Sequence, residues 1–309
     1  MSTFLYSHPA CVLHDPGAMH PECPSRLKAV LDGLDEGAFK NLKRHEAPEI
    51  DLGLVEMVHT PYYVENIVTR SPEKGRVQLD ADTSMSSHSL EAARRSSGAA
   101  VEAVNQVITG VAKNAFCAVR PPGHHAESTK AMGFCLFNGA AIAAFHARSV
   151  YGLDRVAVID FDVHHGNGTQ NSFEQEPNLF YASSHQSPAY PGTGKESDTG
   201  CANNICNAPM PPGSGSEDFK FAYTNRILPA LKKFDPELII ISAGFDAHSR
   251  DPLAQLNLET TDYEWVTQRI LELASKCCDG RVISILEGGY DIKALRESVQ
   301  VHVRALMDA

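Results

Sequence analysis

The sequence is poor in basic residues, with 27 Lys and Arg against 38 Asp and Glu, which gives a formal net charge of −11. Binding to DNA or RNA draws on the opposite balance, because Lys and Arg must replace the counterions of the phosphates. We therefore expect no nucleic-acid partner. The acidic excess favours encounter with cationic substrates, although it does not describe the site itself.

Paired cysteines and long apolar runs are also absent. None of the 8 cysteines forms a C-x-x-C pair, the pattern of structural zinc sites and redox motifs, so they are expected to be reduced and mostly buried thiols. No apolar run approaches the ~20 residues that span a bilayer, and no basic segment followed by an apolar one opens the chain. These absences predict a cytosolic or nuclear enzyme, with the cytoplasm as the expected location, and no membrane partner.

The order of apolar segments predicts the fold class. Short apolar runs alternate with longer segments of helical period, which is typical of an α/β domain with a central, mainly parallel sheet of about eight strands flanked by helices. No linker or internal repeat divides the chain, so residues 1–309 are expected to form one domain. Strands are predicted at 3–7, 115–119, 155–162, 178–183, 237–242 and 281–286. Helices are predicted at 24–35, 61–70, 88–109, 138–150, 216–233, 260–276 and 291–307, with Asn138 and Ser216 as N-caps. The stretch 185–212, rich in Pro, Gly, Asn and Ser, is predicted to be a functional loop.

Polar motifs follow four of these strands, at the sheet edge where ligands collect in parallel α/β folds. They are RPPGHH (120–125), DFDVHHGNG (160–168), AGFDAH (243–248) and LEGGY (286–290). Because residues i, i+2 and i+4 of an extended segment point the same way, Asp160, Asp162 and His164 are expected to share one side. Such a group on its own is more often a structural hydrogen-bonded network than a metal site.

The carboxylate of Asp246, at a second strand end, favours the interpretation as a metal site. Asp162, His164 and Asp246 would supply three N/O ligands and leave a fourth position open, as in a catalytic zinc site. Two carboxylates neutralise the charge of Zn²⁺, so its bound water is expected to be less acidic than in a site with three histidines. A separate base is then needed.

His124 and His125 are the candidates for that base. The two prolines and the glycine before them (121–123) would hold both rings at fixed positions. A catalytic histidine also needs a partner that fixes its tautomer, and Asp160 and Asn167 are the available residues.

Tyr290 follows two glycines, which allow the backbone to approach a site closely. Its phenol could donate a hydrogen bond to a developing oxyanion. A buried tyrosine after a Gly-Gly turn is the alternative interpretation, and the more common one for such a residue taken alone.

Taken together, the motifs resemble the histone deacetylase superfamily, the zinc-dependent amidohydrolases of the arginase/deacetylase fold. The match runs from His20 to Tyr290 and includes, in the family's order, RPPGHHA, MGFCLFN, DFDVHHGNGTQ, YPGTG, AGFDAH and LEGGY. Asn167 and the LEGGY form resemble the class II branch, which includes many bacterial members. The resemblance implies the removal of acetyl or other short acyl groups from the ε-amine of lysine in peptides or proteins.

The resemblance also implies a role for each matching residue. One Zn²⁺ per chain would be held by Asp162, His164 and Asp246. His125 would act as general base and then as general acid, and Tyr290 would polarise the substrate carbonyl. His124, next to Asp160, would give electrostatic help, and Asn167 would orient His125.

A narrow tunnel for the acyl-lysine chain is implied as well. Gly133 and Phe134 would face Tyr190 across it, and the Gly133 carbonyl would accept the amide N–H. Relatives usually have Phe in place of Tyr190, so the rim is expected to be more polar here. Asp82 would hold the substrate backbone at the rim, and Arg26 would line the acetate exit. A structural monovalent cation, usually K⁺, would use Asp160, Asp162, His164, Ser183 and Ser184.

Other activities are weighed against this one. A two-metal ureohydrolase of the same fold would carry carboxylates where Gly166 and His248 stand, so a second Mn²⁺ would lack its oxygen ligands. A serine hydrolase would need a G-x-S-x-G turn before a helix, which the sequence does not have. A catalytically silent module that binds acyl-lysine in the same pocket is a third alternative.

The substrate has an alternative too. Polyamine deacetylases of this superfamily can carry a glutamate gatekeeper after the Asp-Pro that follows the last zinc ligand, where it meets a distant cationic amine. Leu253 follows that Asp-Pro here, and an apolar side chain cannot pair with the charge. An acylated lysine peptide or protein is therefore favoured over an acylated polyamine as the partner. The sequence leaves open whether the chain forms a homo-oligomer.

Overall fold

A single large sheet lies at the centre of the structure, a computed structural model that describes residues 2–309. The strands in this range are β1 (Ser2–Ser7), β2 (Lys43–Glu46), β3 (Arg76–Gln78), β4 (Ser84–Ser86), β5 (Ala112–Cys117), β6 (Val156–Asp160), β7 (Leu179–Gln186), β8 (Ile205–Met210), β9 (Leu238–Ala243) and β10 (Val282–Leu286). Eight of them form the sheet in the order β2-β1-β5-β10-β9-β6-β7-β8, and every pairing is parallel. β3 and β4 form a separate antiparallel pair. The predicted α/β class with a parallel sheet of about eight strands is confirmed.

Helices cover the sheet. They are α1 (Pro9–Leu13), α2 (Pro24–Leu34), α3 (Leu52–Val55), α4 (Pro61–Thr69), α5 (Ser89–Ile108), α6 (Gly139–Tyr151), α7 (Asn167–Phe173), α8 (Ser216–Ala222), α9 (Leu228–Phe234), α10 (Thr260–Cys277) and α11 (Ile292–Asp308). Every residue of β6, β9 and β10 is buried, as a parallel sheet covered on both faces requires. Within residues 2–309, no helix is both long enough and apolar enough to cross a membrane.

Of the two predicted N-caps, one is confirmed and the other is wrong. Asn138 caps α6 as predicted, since its side chain accepts a hydrogen bond from the Ala141 amide. Ser216 is not an N-cap, because α8 begins at Ser216 itself and its hydroxyl donates to Asp262 instead. The predicted helix 216–233 is also divided by a π-helical turn before α9, where Pro229 has no N–H to continue the α-helical pattern.

Two edge strands were missed. β2 has the sequence KRHE and is exposed along its length, so it carries no apolar signal. β8 lies inside the stretch predicted to be a loop, and its Asn207 and Pro209 argue against a strand. As the last strand of the sheet, however, β8 pairs on one side only, where a proline without an N–H is tolerated.

The parallel register brings the polar motifs together. Leu286 of β10 lies opposite Ala243 of β9, and Asp160 of β6 lies opposite Ser242 of β9. Because these strands end at the same level, the segments that follow them converge at one edge of the sheet.

Candidate metal and catalytic site

The three predicted metal ligands lie together at this edge. Ligand atoms of Asp162, His164 and Asp246 all lie within 4.8 Å of one another. Nδ1 of His164 is 3.1 Å from Oδ1 of Asp162 and 3.2 Å from Oδ2 of Asp246. A single ring nitrogen that faces two carboxylates cannot satisfy both with one proton. A cation shared by the three groups would satisfy all of them, and the donor set fits a divalent metal with an open fourth position.

The other carboxylate oxygens are held by backbone amides. Asp162 accepts from the Gly288 amide at 2.9 Å, and Asp246 accepts from the Val163 amide at 2.8 Å. A Cβ at Gly288 would lie 2.2 Å from Oδ2 of Asp246, so only glycine allows this approach. Burial, with the neighbouring Asp162 carboxylate, raises the pKa of Asp246 to about 6. A bound cation would relieve this repulsion between two buried acids.

The two histidines lie beside the ligand set, with ring centroids 4.0 Å apart. His124 donates from Nδ1 to Asp160 over 3.0 Å, and its Nε2 is 3.8 Å from Asp162. Burial lowers the pKa of His124, but the Asp162 and Asp160 carboxylates outweigh burial and hold this pKa well above its ordinary value. The two carboxylates therefore favour the protonated form of His124.

The surroundings of His125 favour its neutral form, in contrast to His124. Burial lowers its pKa well below the ordinary value, and the neighbouring His124 and His164 lower it further. Nδ1 of His125 lies 2.8 Å from Oδ1 of Asn167, and its ring centroid lies 5.9 Å from that of His164. The arrangement provides a neutral imidazole next to the metal ligands, which is what a general base requires.

Tyr290 stands on the turn that follows β10. Its amide donates to Asp251 over 2.7 Å, and the guanidinium of Arg26 lies 4.8 Å from its ring centroid. Burial raises the pKa of the Tyr290 phenol well above its ordinary value, against the opposing effect of Arg26. The phenol therefore keeps its proton and can act as a hydrogen-bond donor.

Aromatic rings line the approach to these groups. Phe134 meets the Tyr290 ring edge-on, with centroids 5.9 Å apart, and Tyr190 meets the His125 ring edge-on at 5.1 Å. Gly133 has φ +56°, and a Cβ there would lie 2.3 Å from Cδ2 of His125, so glycine is required. The Gly133 amide donates to Asp82 over 3.1 Å, which places Asp82 beside the turn that carries Phe134.

Comparison with known proteins settles the family. The sequence profile of the histone deacetylase domain matches residues 20–306. The chain belongs to the histone deacetylase family. It is similar to histone deacetylase 14, chloroplastic, of Arabidopsis thaliana, with 36% identity over 98% of this chain and 76% of the relative. It is also 36% identical to mouse polyamine deacetylase HDAC10, over 96% of this chain and 46% of that protein. The solved HD domain of HDA15 superposes with a TM-score of 0.94 and 35% identity, covering 99% of this chain and 88% of that one.

Membership of this family makes the chain a hydrolase of the deacetylase type. The arginase/deacetylase fold implied by the motifs is thereby confirmed. The individual roles of the site residues stay predictions, as do the identity of the metal and the K⁺ site.

Arg26 lies beneath the site of this deacetylase family member and is fully buried. Its guanidinium donates to the carbonyls of Gly289 and Glu287, both over 2.6 Å, and to Glu22 over 2.9 Å. Glu22 is also paired with Arg120, over 2.8 Å. Arg26 thus holds the turn that carries Tyr290, and the predicted lining of an acetate exit stays a prediction.

Leu253 and the two serines make separate contacts near the site. Leu253 is 40% exposed, and its amide donates to Oδ1 of Asp251, whose Oδ2 accepts from Tyr290. Ser183 lies opposite Asp160 in the β6–β7 register, with its hydroxyl 2.9 Å from Nδ1 of His185, and Ser184 donates to the Tyr223 hydroxyl over 3.4 Å.

Sequence analysis missed three residues that support the histidine pair. The Tyr181 hydroxyl donates to Asp160 over 3.0 Å. Glu127 accepts from the side-chain amide of Asn167 over 2.7 Å, and Glu287 accepts from the backbone amide of His124 over 3.2 Å. Alternation along β7 places Tyr181 on the same side as Ser183, a signal that was available. Glu127 and Glu287 gave no such signal, because their contacts depend on how distant segments fold together.

Proposed function

We propose that this chain is a zinc-dependent amidohydrolase that removes acetyl or other short acyl groups from the ε-amine of lysine in peptides or proteins. One observation carries the proposal. The ring centroid of His125 lies 5.9 Å from that of His164, one of the three-ligand set Asp162, His164 and Asp246, and Tyr290 follows a strand that ends at the same edge of the sheet.

The donor set supports a single Zn²⁺. When bound, zinc would lower the pKa of a water molecule and polarise the substrate carbonyl. A second metal, as in ureohydrolases, would need a carboxylate at position 166. A Cβ at Gly166 would lie 2.4 Å from Oδ2 of Asp160 and 2.6 Å from the Tyr181 hydroxyl, so there is no room for one.

The chain's own residues would move the proton and hold the substrate. His125, with Asn167 bound at Nδ1, takes a proton at Nε2 and later gives it to the leaving amine. Tyr290 donates a hydrogen bond to the carbonyl oxygen as negative charge develops there. The Gly133 carbonyl accepts the amide N–H of the substrate, between the rings of Phe134 and Tyr190.

Acetylpolyamine is the second candidate substrate, because a relative named polyamine deacetylase is 36% identical to this chain and the net charge is −11. The gatekeeper position argues for lysine instead. Leu253 has no charge to offer a distal ammonium group, and its 40% exposure favours contact with an apolar part of a peptide.

A panel of acyl-lysine peptides and acetylspermidine, assayed with and without a chelator, tests the proposal. We expect a higher kcat/KM for acetyl-lysine peptides, loss of turnover on chelation and its return with Zn²⁺. Full activity after the metal is stripped would exclude the metal mechanism, and a preference for acetylspermidine would favour the second substrate. Tight binding of a hydroxamate without any release of acetate would indicate a silent acyl-lysine-binding module.

A further inference from the structure

The Asn167 side chain can face His125 in two ways, and they have opposite consequences. With Oδ1 towards His125, the imidazole must donate from Nδ1, which leaves Nε2 free to accept a proton. With Nδ2 towards His125, the imidazole must accept at Nδ1 and carry its proton on Nε2. Only the first tautomer can act as a base at Nε2.

The surroundings of Nδ2 decide between the two orientations. This nitrogen lies 2.7 Å from Oε1 of Glu127, 3.4 Å from the His125 carbonyl and 3.4 Å from Sδ of Met132. All three neighbours are acceptors and none can donate. Turning the amide over would place its oxygen against the Glu127 carboxylate, so Oδ1 is held towards Nδ1 of His125, 2.8 Å away.

Glu127 is itself fixed by its backbone. His59 donates from Nδ1 to the Glu127 carbonyl over 2.9 Å, and accepts at Nε2 from the Asn138 amide over 2.9 Å. The Glu127 amide donates to the Lys130 carbonyl over 3.0 Å, which closes a tight turn. The carboxylate therefore starts from a fixed point close to Asn167.

We propose that Glu127 is a positioning residue, whose carboxylate fixes the orientation of the Asn167 amide and thereby the tautomer of His125. The inference rests on the proposed function, in which His125 is the base. Glu127 acts through two hydrogen bonds, one between Asn167 and Glu127 and one between Asn167 and His125.

Two substitutions at Glu127 give the first test. Glu127→Met replaces the carboxylate with a thioether, a much weaker acceptor, on a side chain of similar length. We expect it to lower kcat about 10–100-fold, the usual cost of losing a group that orients a metal-site residue, with little change in KM. Glu127→Gln is the matched intermediate variant, because its Oε1 can accept from Nδ2 of Asn167 but its Nε2 can also donate to a turned amide, and we expect a smaller loss of kcat than in Glu127→Met. Zinc content and the melting temperature are measured for both variants.

A second background separates positioning from a structural role. In Asn167→Asp, a carboxylate accepts from His125 in either orientation and needs no partner, whereas Glu127 now faces a like charge. Because the orientation of residue 167 no longer matters in that background, Glu127→Met is expected to change kcat little there, while it lowers kcat in the wild type. If Glu127→Met lowers kcat by the same factor in both backgrounds, Glu127 is only structural and the proposal is overturned.

A third measurement needs no substrate. In ¹⁵N-histidine spectra of the zinc-loaded protein, assigned with His125→Ala, we expect an Nδ1–H signal for His125 in the wild type, a weaker one in Glu127→Gln, and its loss in Glu127→Met. Persistence of that signal in Glu127→Met contradicts the proposal. If the wild type turns over no acyl substrate, the proposed function fails, and this spectrum still decides the role of Glu127.

Discussion

Replacing Tyr290 with phenylalanine tests the central element of the proposed chemistry. The substitution keeps the contacts that hold this residue. These are the hydrogen bond from its backbone amide to Asp251, the guanidinium of Arg26 at 4.8 Å from the ring centroid, and the edge-on contact with Phe134 at 5.9 Å. Within residues 2–309 the hydroxyl makes no hydrogen bond. The variant therefore removes one donor and little else, and we expect a loss of stability within about 0.5 kcal/mol. Loss of one oxyanion donor costs about 10²–10³ in kcat, or about 2.7–4 kcal/mol.

The assay measures kcat and KM on an acetyl-lysine peptide, with zinc content and the melting temperature in parallel. We expect kcat to fall within that range, while metal binding and thermal stability stay close to those of the wild type. Near-normal turnover would refute the role of the phenol. A loss of zinc together with activity would mean that Tyr290 supports the ligand set rather than the substrate carbonyl.

Three further predictions concern stability. Glu22→Gln leaves the buried guanidiniums of Arg26 and Arg120 without a carboxylate and should cost about 3–5 kcal/mol in urea unfolding; a change below about 1 kcal/mol would contradict this. Burial lowers the pKa of His302 to about 3, so this residue binds more protons in the unfolded chain than in the folded chain below pH ~6.5. The free energy of unfolding therefore decreases as the pH is lowered, by about 2 kcal/mol at pH ~5 for this residue. His302→Gln should reduce that slope, and an unchanged slope would exclude His302 as its source. Removing the metal should lower the melting temperature, and Zn²⁺ at about 1,000 times its Kd should restore about 4 kcal/mol; equal melting curves with and without Zn²⁺ would argue against the site.

How far the sequence predicts this fold depends on burial. The strands of the sheet interior, such as 237–242 and 281–286, were found because helices on both faces require continuous apolar runs. Edge strands have no such requirement, and for that reason the polar β2 and the proline-containing β8 were missed. The division of helix 216–233 could have been predicted from Pro229, whereas the preference of the Ser216 hydroxyl for Asp262 depends on a contact with a distant helix.

In the candidate site, too, some contacts follow from the local strand pattern and others depend on how distant segments pack. Asp162, His164 and Asp246 could be predicted as neighbours, because strand ends converge and alternation places i and i+2 on one side. Asp160 and Asn167 could also be predicted as partners of the two histidines, whereas further partners such as Glu127 and Glu287 come from segments that only folding brings together. Arg26 illustrates this, since two of its acceptors, the carbonyls of Gly289 and Glu287, become its neighbours only when α2 packs beneath the turn after β10.

Burial lowers the pKa of both histidines, and the groups beside each ring decide the direction of its net shift. His124 lies against the carboxylates of Asp160 and Asp162, and its pKa rises despite burial. His125 is bound at Nδ1 by an amide, which carries no charge, and burial and His124 outweigh the opposing effect of this hydrogen bond and lower its pKa. A carboxylate in place of Asn167 would favour the imidazolium and weaken the base in its resting state. An amide at this position therefore keeps His125 neutral. Turning an amide over exchanges its acceptor for its donor, whereas turning a carboxylate over changes nothing. The acidic Glu127 is therefore needed beside Asn167 to fix the orientation of the amide.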